Sequence, residues 1–218
     1  MSQRPLQITS AADFAAAFPV SHETLAKLEL YARLLVQWQK AVNLVSPATL
    51  PHLWHRHMAD SAQLLRYAPA KVRVWVDIGS GGGFPGLVTA ILLANQQECV
   101  VHLVESNSRK CAFLSEVARQ TSAPVRVHNA RVADLAQSRA IPPADVVSAR
   151  ALAPLDALLE LAQPFFGNAS AGLFLKGREA ASEVADARKR WAFDLVTHPS
   201  ITDPDGHVLE IKQPKLIG

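Results

Sequence analysis

Hydrophobic side chains of helical spacing mark the first third of the chain. From Leu25 to Trp38 they recur at intervals of three and four residues, which places them on one face of a helix. Ser21 is a preferred N-cap residue and predicts where this helix begins. After a break at residues 43–47, a second helical series runs from Leu53 to Leu65. We therefore predict an N-terminal helical region within residues 1–70.

From Val72 onward, short apolar runs alternate with helical patterns. We interpret seven runs as strands, at residues 72–76, 99–104, 124–128, 145–149, 172–176, 193–196 and 207–211. Alternating strands and helices with short connections predict a parallel, doubly wound sheet. The last two strands form a hairpin through the turn Asp203–Gly206, which introduces an antiparallel strand. The predicted fold is α/β and Rossmann-like, with a mostly parallel seven-stranded sheet over residues 71–218 that packs with residues 1–70 as one compact unit.

The turn Asp77–Gly86 follows the first predicted strand, precedes a helix over residues 87–94 and contains five glycines. Glycine has no Cβ and accepts positive φ, so a ligand can approach bare backbone there. The helix that follows adds unpaired N–H groups at its N-terminus. This arrangement predicts a site for a nucleotide-like cofactor.

Two glycine registers overlap in this turn. One satisfies G-x-G-x-x-G, the dinucleotide fingerprint, with Glu105 further along. The other is an aspartate followed by alternating glycines, which resembles motif I of class I S-adenosylmethionine methyltransferases. We favour the second, because a carboxylate repels a pyrophosphate but attracts a sulfonium or an amino group. This register assigns cofactor binding to Asp77, Gly79, Gly81 and Gly83.

Polar side chains follow several predicted strands, where a doubly wound sheet binds its ligands. We expect Glu105 to accept hydrogen bonds from ribose hydroxyls; the alternative is an acid that caps the next helix. Arg150 and Lys176 are candidates for binding phosphate or a base. The alternative is that both are solvated charges at the ends of their strands. Further candidates for a basic surface are Arg56, His57 and Arg131.

Charge and cysteine content refine this interpretation. The net charge is +3 and the isoelectric point about 9.0, which mildly favours a polyanionic partner. Two cysteines fit a reducing cytoplasm, and no run is long enough for a membrane span. A metal site is not expected at the three histidines His52, His55 and His57. No cysteine lies nearby, and a helix would place His52 and His55 together with His57 off to their side.

Several segments together resemble one family, the ribosomal RNA small-subunit methyltransferase G family, also called glucose-inhibited division protein B. The resemblance covers about residues 20–215 and rests on residues 31–44, 56–61, 79–86, 104–114, 148–155 and 175–177. Two positions depart from the family pattern. Gln39 stands where the family usually has asparagine after Trp38. The segment Ser148–Ala149–Arg150 is a milder departure, since the family's Ser-Arg is often preceded by a bulky residue.

The resemblance implies a class I methyltransferase fold and methyl transfer from S-adenosylmethionine to N7 of a guanine in 16S ribosomal RNA, near the decoding site. It implies cofactor contacts for Gly79, Phe84, Val132, Ala133 and Arg150, and a catalytic or RNA-binding role for Lys176. The basic candidates Arg56, His57 and Arg131 would then face RNA. The partner would be 16S RNA or the small ribosomal subunit, and we expect a monomer in the cytoplasm.

The reaction chemistry fits the residue pattern. Guanine N7 carries a lone pair and no proton, so transfer needs in-line placement rather than a general base. The fourth strand lacks the Asn/Asp-Pro-Pro-Tyr sequence associated with amino methylation, and neither cysteine follows a proline. Three alternatives stay open at this point: a small-molecule methyltransferase, an NAD-dependent oxidoreductase, and a ribosome-assembly module without catalytic activity.

Overall fold

Seven strands form a single sheet at the centre of the structure, a computed structural model that describes residues 7–217. They are β1 (Val74–Ile78), β2 (Val100–Glu105), β3 (Val125–Asn129), β4 (Ala144–Arg150), β5 (Phe166–Lys176), β6 (Trp191–Pro199) and β7 (His207–Leu216). The order is β3-β2-β1-β4-β5-β7-β6. Strands β1 to β5 pair in parallel, and β7 runs antiparallel to both β5 and β6. The predicted sheet and its terminal hairpin are confirmed.

Helices lie before the sheet and between its strands. The α-helices are α1 (Ala11–Ala17), α2 (His22–Trp38), α3 (Asp60–Ala62), α4 (Gly86–Leu92), α5 (Ser108–Thr121), α6 (Val132–Ser138), α7 (Leu155–Ala162) and α8 (Ala180–Ala187). There are also three 3₁₀ turns, at Pro47–His52, Gln63–Arg66 and Gln163–Phe165, and one π-helical turn, at Trp54–Ala59. Within residues 7–217, every helix is too short or too polar to cross a bilayer.

Helix α2 begins where its cap residue predicts. The Ser21 side chain accepts a hydrogen bond from the Thr24 amide. The apolar stripe of the helix is buried in its middle and half-buried at Leu25 and Trp38. The second predicted helix is instead a mixed run of 3₁₀, π and α turns over residues 47–66. Pro51 lies inside the 3₁₀ turn Pro47–His52 and has no amide proton to donate, so a regular α-helix cannot extend through that turn.

The end of α8 differs from the sequence-based expectation. The helical pattern that follows β5 extends from Glu179 to Trp191, but α8 ends at Ala187 and Trp191 begins β6. Trp191 pairs with Leu216 of β7, and its buried indole donates a hydrogen bond to Asp156. Pairing with the long strand β7 therefore overrides the local helical pattern.

Two hydrophobic cores cover the two faces of the sheet. The first joins the N-terminal helices, α4 and α5 to the sheet, and Tyr31 of α2 is fully buried in it beside Phe84 and Phe113. The second lies beneath α7 and α8 and includes Phe174 and Trp191. The N-terminal helices thus share their core with the sheet, which places residues 44–63 next to the carboxyl end of β4.

Candidate functional site

The glycine turn after β1 is held open towards solvent by backbone conformation and by strand β2. Gly79, Gly81 and Gly83 have φ of 69°, 56° and 94°, the left-handed region that glycine adopts without strain. The Gly79 amide donates to the Val104 carbonyl at 2.9 Å. The Gly81 amide donates to the Glu105 carboxylate, also at 2.9 Å. The end of β2 therefore fixes the shape of the turn.

A cleft of about 660 Å³ lies over this turn, and we call it the cofactor cleft. Its lining brings together seven of the nine residues assigned to the cofactor: Gly79, Gly81, Phe84, Glu105, Val132, Ala133 and Arg150. A Cβ added at Gly81 would meet only the Gly79 carbonyl oxygen, at 3.8 Å. The space above Gly81 is therefore free for a ligand.

Asp77 and Gly83, the other two assigned residues, do not line the cofactor cleft. Asp77 is fully buried beneath the turn, where its carboxylate accepts hydrogen bonds from Ser148 Oγ at 2.7 Å and the Gly86 amide at 3.2 Å. Burial raises the pKa of Asp77 to about 6. A Cβ at Gly83 would lie 2.5 Å from Leu87 Cδ1. Both residues shape the turn from below, which corrects the expectation of direct cofactor contact.

Glu105 lies in the cleft wall with both carboxylate oxygens engaged. Oε2 accepts from the Gly81 amide and Oε1 from the Asn107 amide at 2.8 Å. The cap of α5 is Asn107 itself, whose side chain accepts from the first amides of that helix, so the capping alternative for Glu105 is wrong. Since a carboxylate offers about four acceptor positions, Glu105 keeps capacity for hydroxyl donors.

A second cleft, of about 600 Å³, adjoins the first, and we call it the acceptor cleft. Its walls include Thr49, Arg56, His57 and Lys176. The two clefts share Leu44 and residues 150–152 as lining. The end of β4 and the loop after it therefore form the boundary at which a cofactor and an acceptor would meet.

Arg150 is the charged residue common to both clefts. Its guanidinium donates to the Arg56 carbonyl at 2.9 Å and to His57 Nδ1 at 2.7 Å, and it lies 3.4 Å from the Asp60 carboxylate. It also stacks over the Phe84 ring at 5.2 Å, a favourable cation–π distance. Arg150 thus links the N-terminal region to the glycine turn.

Lys176, at the end of β5, is not the solvated charge that the sequence left open. Its side chain is only 8% exposed, and Nζ lies 2.6 Å from both the Glu183 carboxylate and the Ala153 carbonyl. Glu183 also accepts from the Leu155 amide at the start of α7, at 2.7 Å. Lys176 and Glu183 together hold the loop between β4 and α7.

His57 differs most from its predicted role as an RNA-binding cation. It is buried, its ring packs at a tilt against the Phe84 ring with 4.8 Å between centroids, and it accepts a hydrogen bond from the Arg150 guanidinium. Burial, and then the nearby charges of Arg150 and Arg56, lower the pKa of His57 to about 3. The imidazole is therefore neutral at physiological pH in this structure and adds no positive charge to the acceptor cleft.

The two remaining basic candidates lie in different places. Arg56 is 44% exposed on the acceptor cleft, where it pairs with Asp203 at 2.7 Å. Arg131 is exposed at the cofactor cleft, just before α6, and does not reach the acceptor cleft. Arg56 is thus the accessible cation beside the acceptor position, whereas Arg131 belongs to the cofactor side.

Sequence reasoning missed three residues that organise the acceptor cleft. The charge pattern around Glu183 is typical of a solvated helix face, yet this residue pairs with Lys176. Asp60 accepts from Thr202 Oγ1 at 2.7 Å and so joins the β6–β7 loop to α3. Thr49 accepts from or donates to His57 at 2.8 Å. Among residues 7–217, no group of three or more His, Cys, Asp or Glu side chains could hold a metal.

The sheet order and the cleft over the glycine turn define a class I S-adenosylmethionine methyltransferase fold. The O-methyltransferase from Bacillus cereus, solved with S-adenosylhomocysteine, superposes with a TM-score of 0.63 at 13% identity, covering 95% of this chain and 98% of that one. TomG, an O-methyltransferase from Streptomyces achromogenes, gives the same score and identity over 98% and 100% of the two chains. These similarities establish the fold.

Sequence comparison identifies the family. The family described as GidB, rRNA small subunit methyltransferase G, matches residues 24–209. Ribosomal RNA small subunit methyltransferase G of Parvibaculum lavamentivorans is 52% identical over 206 residues, 94% of this chain and 90% of its own. The corresponding protein of Rhodospirillum centenum is 52% identical over 203 residues, 93% and 90% of the two chains. The chain belongs to the rRNA small subunit methyltransferase G family, whose members are S-adenosylmethionine-dependent enzymes. The predicted family and cofactor are confirmed, and the NAD-dependent alternative is wrong.

Proposed function

We propose that the protein transfers a methyl group from S-adenosylmethionine to N7 of a guanine in 16S ribosomal RNA, near the decoding site. The observation that carries this proposal is the junction of two clefts at the end of β4. The glycine turn forms one cleft and a cation-bearing wall forms the other. A cofactor over Gly81 and a base beside Arg56 would meet at Leu44 and residues 150–152.

The cofactor cleft fits S-adenosylmethionine through its backbone and through Glu105. A backbone free of Cβ at Gly81 and a carboxylate with spare acceptor positions suit an adenosine ribose. The N-terminal turn of α6, Val132 and Ala133, forms the opposite wall. Bound there, S-adenosylmethionine supplies an electrophilic methyl carbon, and the residues beneath the turn, Asp77 and Gly83, keep the turn in shape.

The charges of the acceptor cleft support a reaction without a general base. Each carboxylate in its lining is paired with a cation: Asp60 with Arg150, Glu183 with Lys176, and Asp203 with Arg56. His57 is neutral, but its Nδ1 already accepts from Arg150. A lone pair on guanine N7 needs no proton removed, so the protein has only to align the base with the methyl group.

RNA would contact the exposed rim of the acceptor cleft. Arg56 is 44% exposed and suits bidentate contact with phosphate. Lys176 keeps its place in the site, but its pairing with Glu183 assigns it to holding the β4–α7 loop rather than to contacting RNA. We further propose that residues 1–70 and 71–218 act as one compact unit, a cytoplasmic monomer whose partner is 16S RNA within the small subunit.

The test is transfer of labelled methyl from S-adenosylmethionine to small ribosomal subunits from a strain that lacks this gene. The RNA is digested and the modified nucleoside identified by mass spectrometry. We expect N7-methylguanosine at one position. Tight cofactor binding without transfer to subunits or to free 16S RNA would refute the proposed acceptor and favour a small molecule or another RNA.

A further inference from the structure

Four residues form a hydrogen-bonded chain along the wall of the acceptor cleft. Arg150 Nη2 lies 2.7 Å from His57 Nδ1, and His57 Nε2 lies 2.8 Å from Thr49 Oγ1. Thr49 Oγ1 in turn donates to the Ser46 carbonyl at 2.9 Å. Ser46, Thr49, His57 and Arg150 all line the acceptor cleft, and Arg150 lines the cofactor cleft as well.

The chain has only one consistent direction. A guanidinium donates and never accepts, so His57 Nδ1 must be the acceptor. The single proton of the neutral ring then lies on Nε2 and points to Thr49 Oγ1. Thr49 accepts that proton and directs its own to Ser46, so every donor in the chain has an acceptor. Burial keeps the pKa of His57 near 3, which is consistent with this neutral tautomer.

What the chain holds in place is the guanidinium of Arg150. On one side this group stacks over Phe84 of the glycine turn at 5.2 Å, and on another it donates to the Arg56 carbonyl. His57 contributes the shortest of the polar contacts to Arg150 and packs on the same Phe84 ring. The orientation of the imidazole therefore sets the position of a cation in the wall shared by both clefts.

We infer that His57 and Thr49 are positioning residues that fix Arg150 between the cofactor and the acceptor. The inference rests on the proposed function. Loss of these hydrogen bonds leaves both clefts in place but frees the Arg150 side chain to move. It therefore changes the alignment of the cofactor with the acceptor. Because misalignment of about 1 Å can lower a rate roughly a hundredfold, the effect appears in kcat for subunit methylation more than in KM or in cofactor affinity.

Two substitutions at His57 separate this role from simple packing. His57→Asn places an amide oxygen near the position of Nδ1, where it can accept from Arg150. His57→Gln places its amide near the position of Nε2, where it reaches Thr49 but not Arg150. We expect His57→Gln to lower kcat roughly tenfold to a hundredfold and His57→Asn to lower it clearly less. Both should bind S-adenosylhomocysteine with similar affinity in calorimetry.

Thr49 supplies an independent variant, and His52 a matched control. Thr49→Val removes the acceptor for His57 Nε2–H with little change in volume, and should lower kcat more than Thr49→Ser. His52→Gln changes an exposed imidazole in the same helical segment and should leave kcat unchanged. If wild-type protein does not methylate subunits, the proposed function fails. If it does, and His57→Gln and His57→Asn are equally active or equally impaired, or Thr49→Val equals Thr49→Ser, the positioning role is refuted.

Discussion

The Lys176 ammonium lies 2.6 Å from the Glu183 carboxylate, and the two side chains are only 8% and 22% exposed. Lys176 donates a hydrogen bond to the Ala153 carbonyl of the loop between β4 and α7, and Glu183 accepts one from the Leu155 amide. Leu152, which precedes these two anchor points, also covers Gly79 of the glycine turn. The pair therefore controls a segment that borders both clefts.

Lys176→Ala should slow methyl transfer while sparing cofactor binding. The substitution frees the Ala153 carbonyl and leaves the Glu183 carboxylate without its partner. Breaking a buried pair costs about 3 kcal/mol at the low end of the usual range, and Glu183 is 22% exposed, which reduces that cost. We expect turnover to fall by about tenfold or more, since the loop is no longer held in alignment, and calorimetry with S-adenosylhomocysteine to change little.

Glu183→Gln distinguishes loop positioning from direct RNA contact by Lys176. Glutamine can still accept from the Leu155 amide, but it cannot balance the Lys176 charge. If Lys176 acts through the loop, this variant should lose turnover too. Glu179→Gln, at an exposed acid on the neighbouring turn, is the control. Full activity of Glu183→Gln together with loss in Lys176→Ala would instead assign Lys176 to RNA.

Gly81→Ala and Gly83→Ala should fail in different ways. A Cβ at Gly81 meets no side chain, so the cost to folding is the left-handed strain of roughly 1–2 kcal/mol, but the methyl group projects into the cofactor cleft. At Gly83 a Cβ would lie 2.5 Å from Leu87 Cδ1 and 2.7 Å from the Tyr31 hydroxyl. We expect Gly81→Ala to weaken cofactor binding most and Gly83→Ala to lower the melting temperature most.

Calorimetry and thermal unfolding of both variants test this distinction. Near-normal affinity for S-adenosylhomocysteine in both Gly81→Ala and the larger Gly81→Val would contradict the placement of the cofactor over this turn. Equal loss of melting temperature at the two positions would contradict the packing difference that the structure shows.

The sheet and the location of the site could be predicted because both follow from local patterns. Alternating apolar strands and helices specify a doubly wound sheet, and the carboxyl ends of parallel strands meet at one edge. Glu105, Arg150 and Lys176 therefore lie at the site although they are far apart along the chain. The cofactor could be predicted from the glycine turn, because several positions without a Cβ let a ligand approach the backbone.

The partners of these side chains could not be predicted, because contacts between distant residues have no local pattern. His57 and Arg150 are 93 residues apart, and Asp60 and Thr202 are 142 apart. A histidine within a helical series that also carries Arg56 is interpreted from sequence as a surface cation, because the packing of Phe84 and Arg150 around His57 has no local signal. The motif assigns Asp77 to the cofactor, whereas the burial of this residue beneath the turn depends on Ser148 of β4.

Asp77 should make the stability of the protein depend on pH. Its folded-state pKa is about 6, against an ordinary value of 3.8, chiefly because burial penalises the charged form. The folded state thus binds the proton more tightly, so the contribution is fully present below pH 3.8 and is lost as the pH rises through 6. The pKa difference corresponds to about 3 kcal/mol. Asp77→Asn removes this titration.

Urea unfolding of wild type and Asp77→Asn between about pH 4 and about pH 7 measures the effect. Asparagine also alters the hydrogen bonds to Ser148 and Gly86, but that change is independent of pH. The free energy of unfolding of wild type, relative to the variant, should decrease as the pH rises across this window. Parallel curves for the two proteins would show that Asp77 stays ionised in the folded state.

Arg56→Ala should weaken binding to small subunits and reduce its dependence on salt. Arg56 is exposed at the acceptor cleft, and removing one phosphate-binding cation reduces the slope of log affinity against log salt by about 1. Arg190→Ala is the matched control, because Arg190 also pairs with an aspartate, Asp156, but lies outside both clefts. Filter binding from low to moderate salt measures both variants. A reduced slope for both or for neither would remove Arg56 from the RNA interface, whereas a reduction confined to Arg56→Ala would place the RNA backbone at the acceptor cleft.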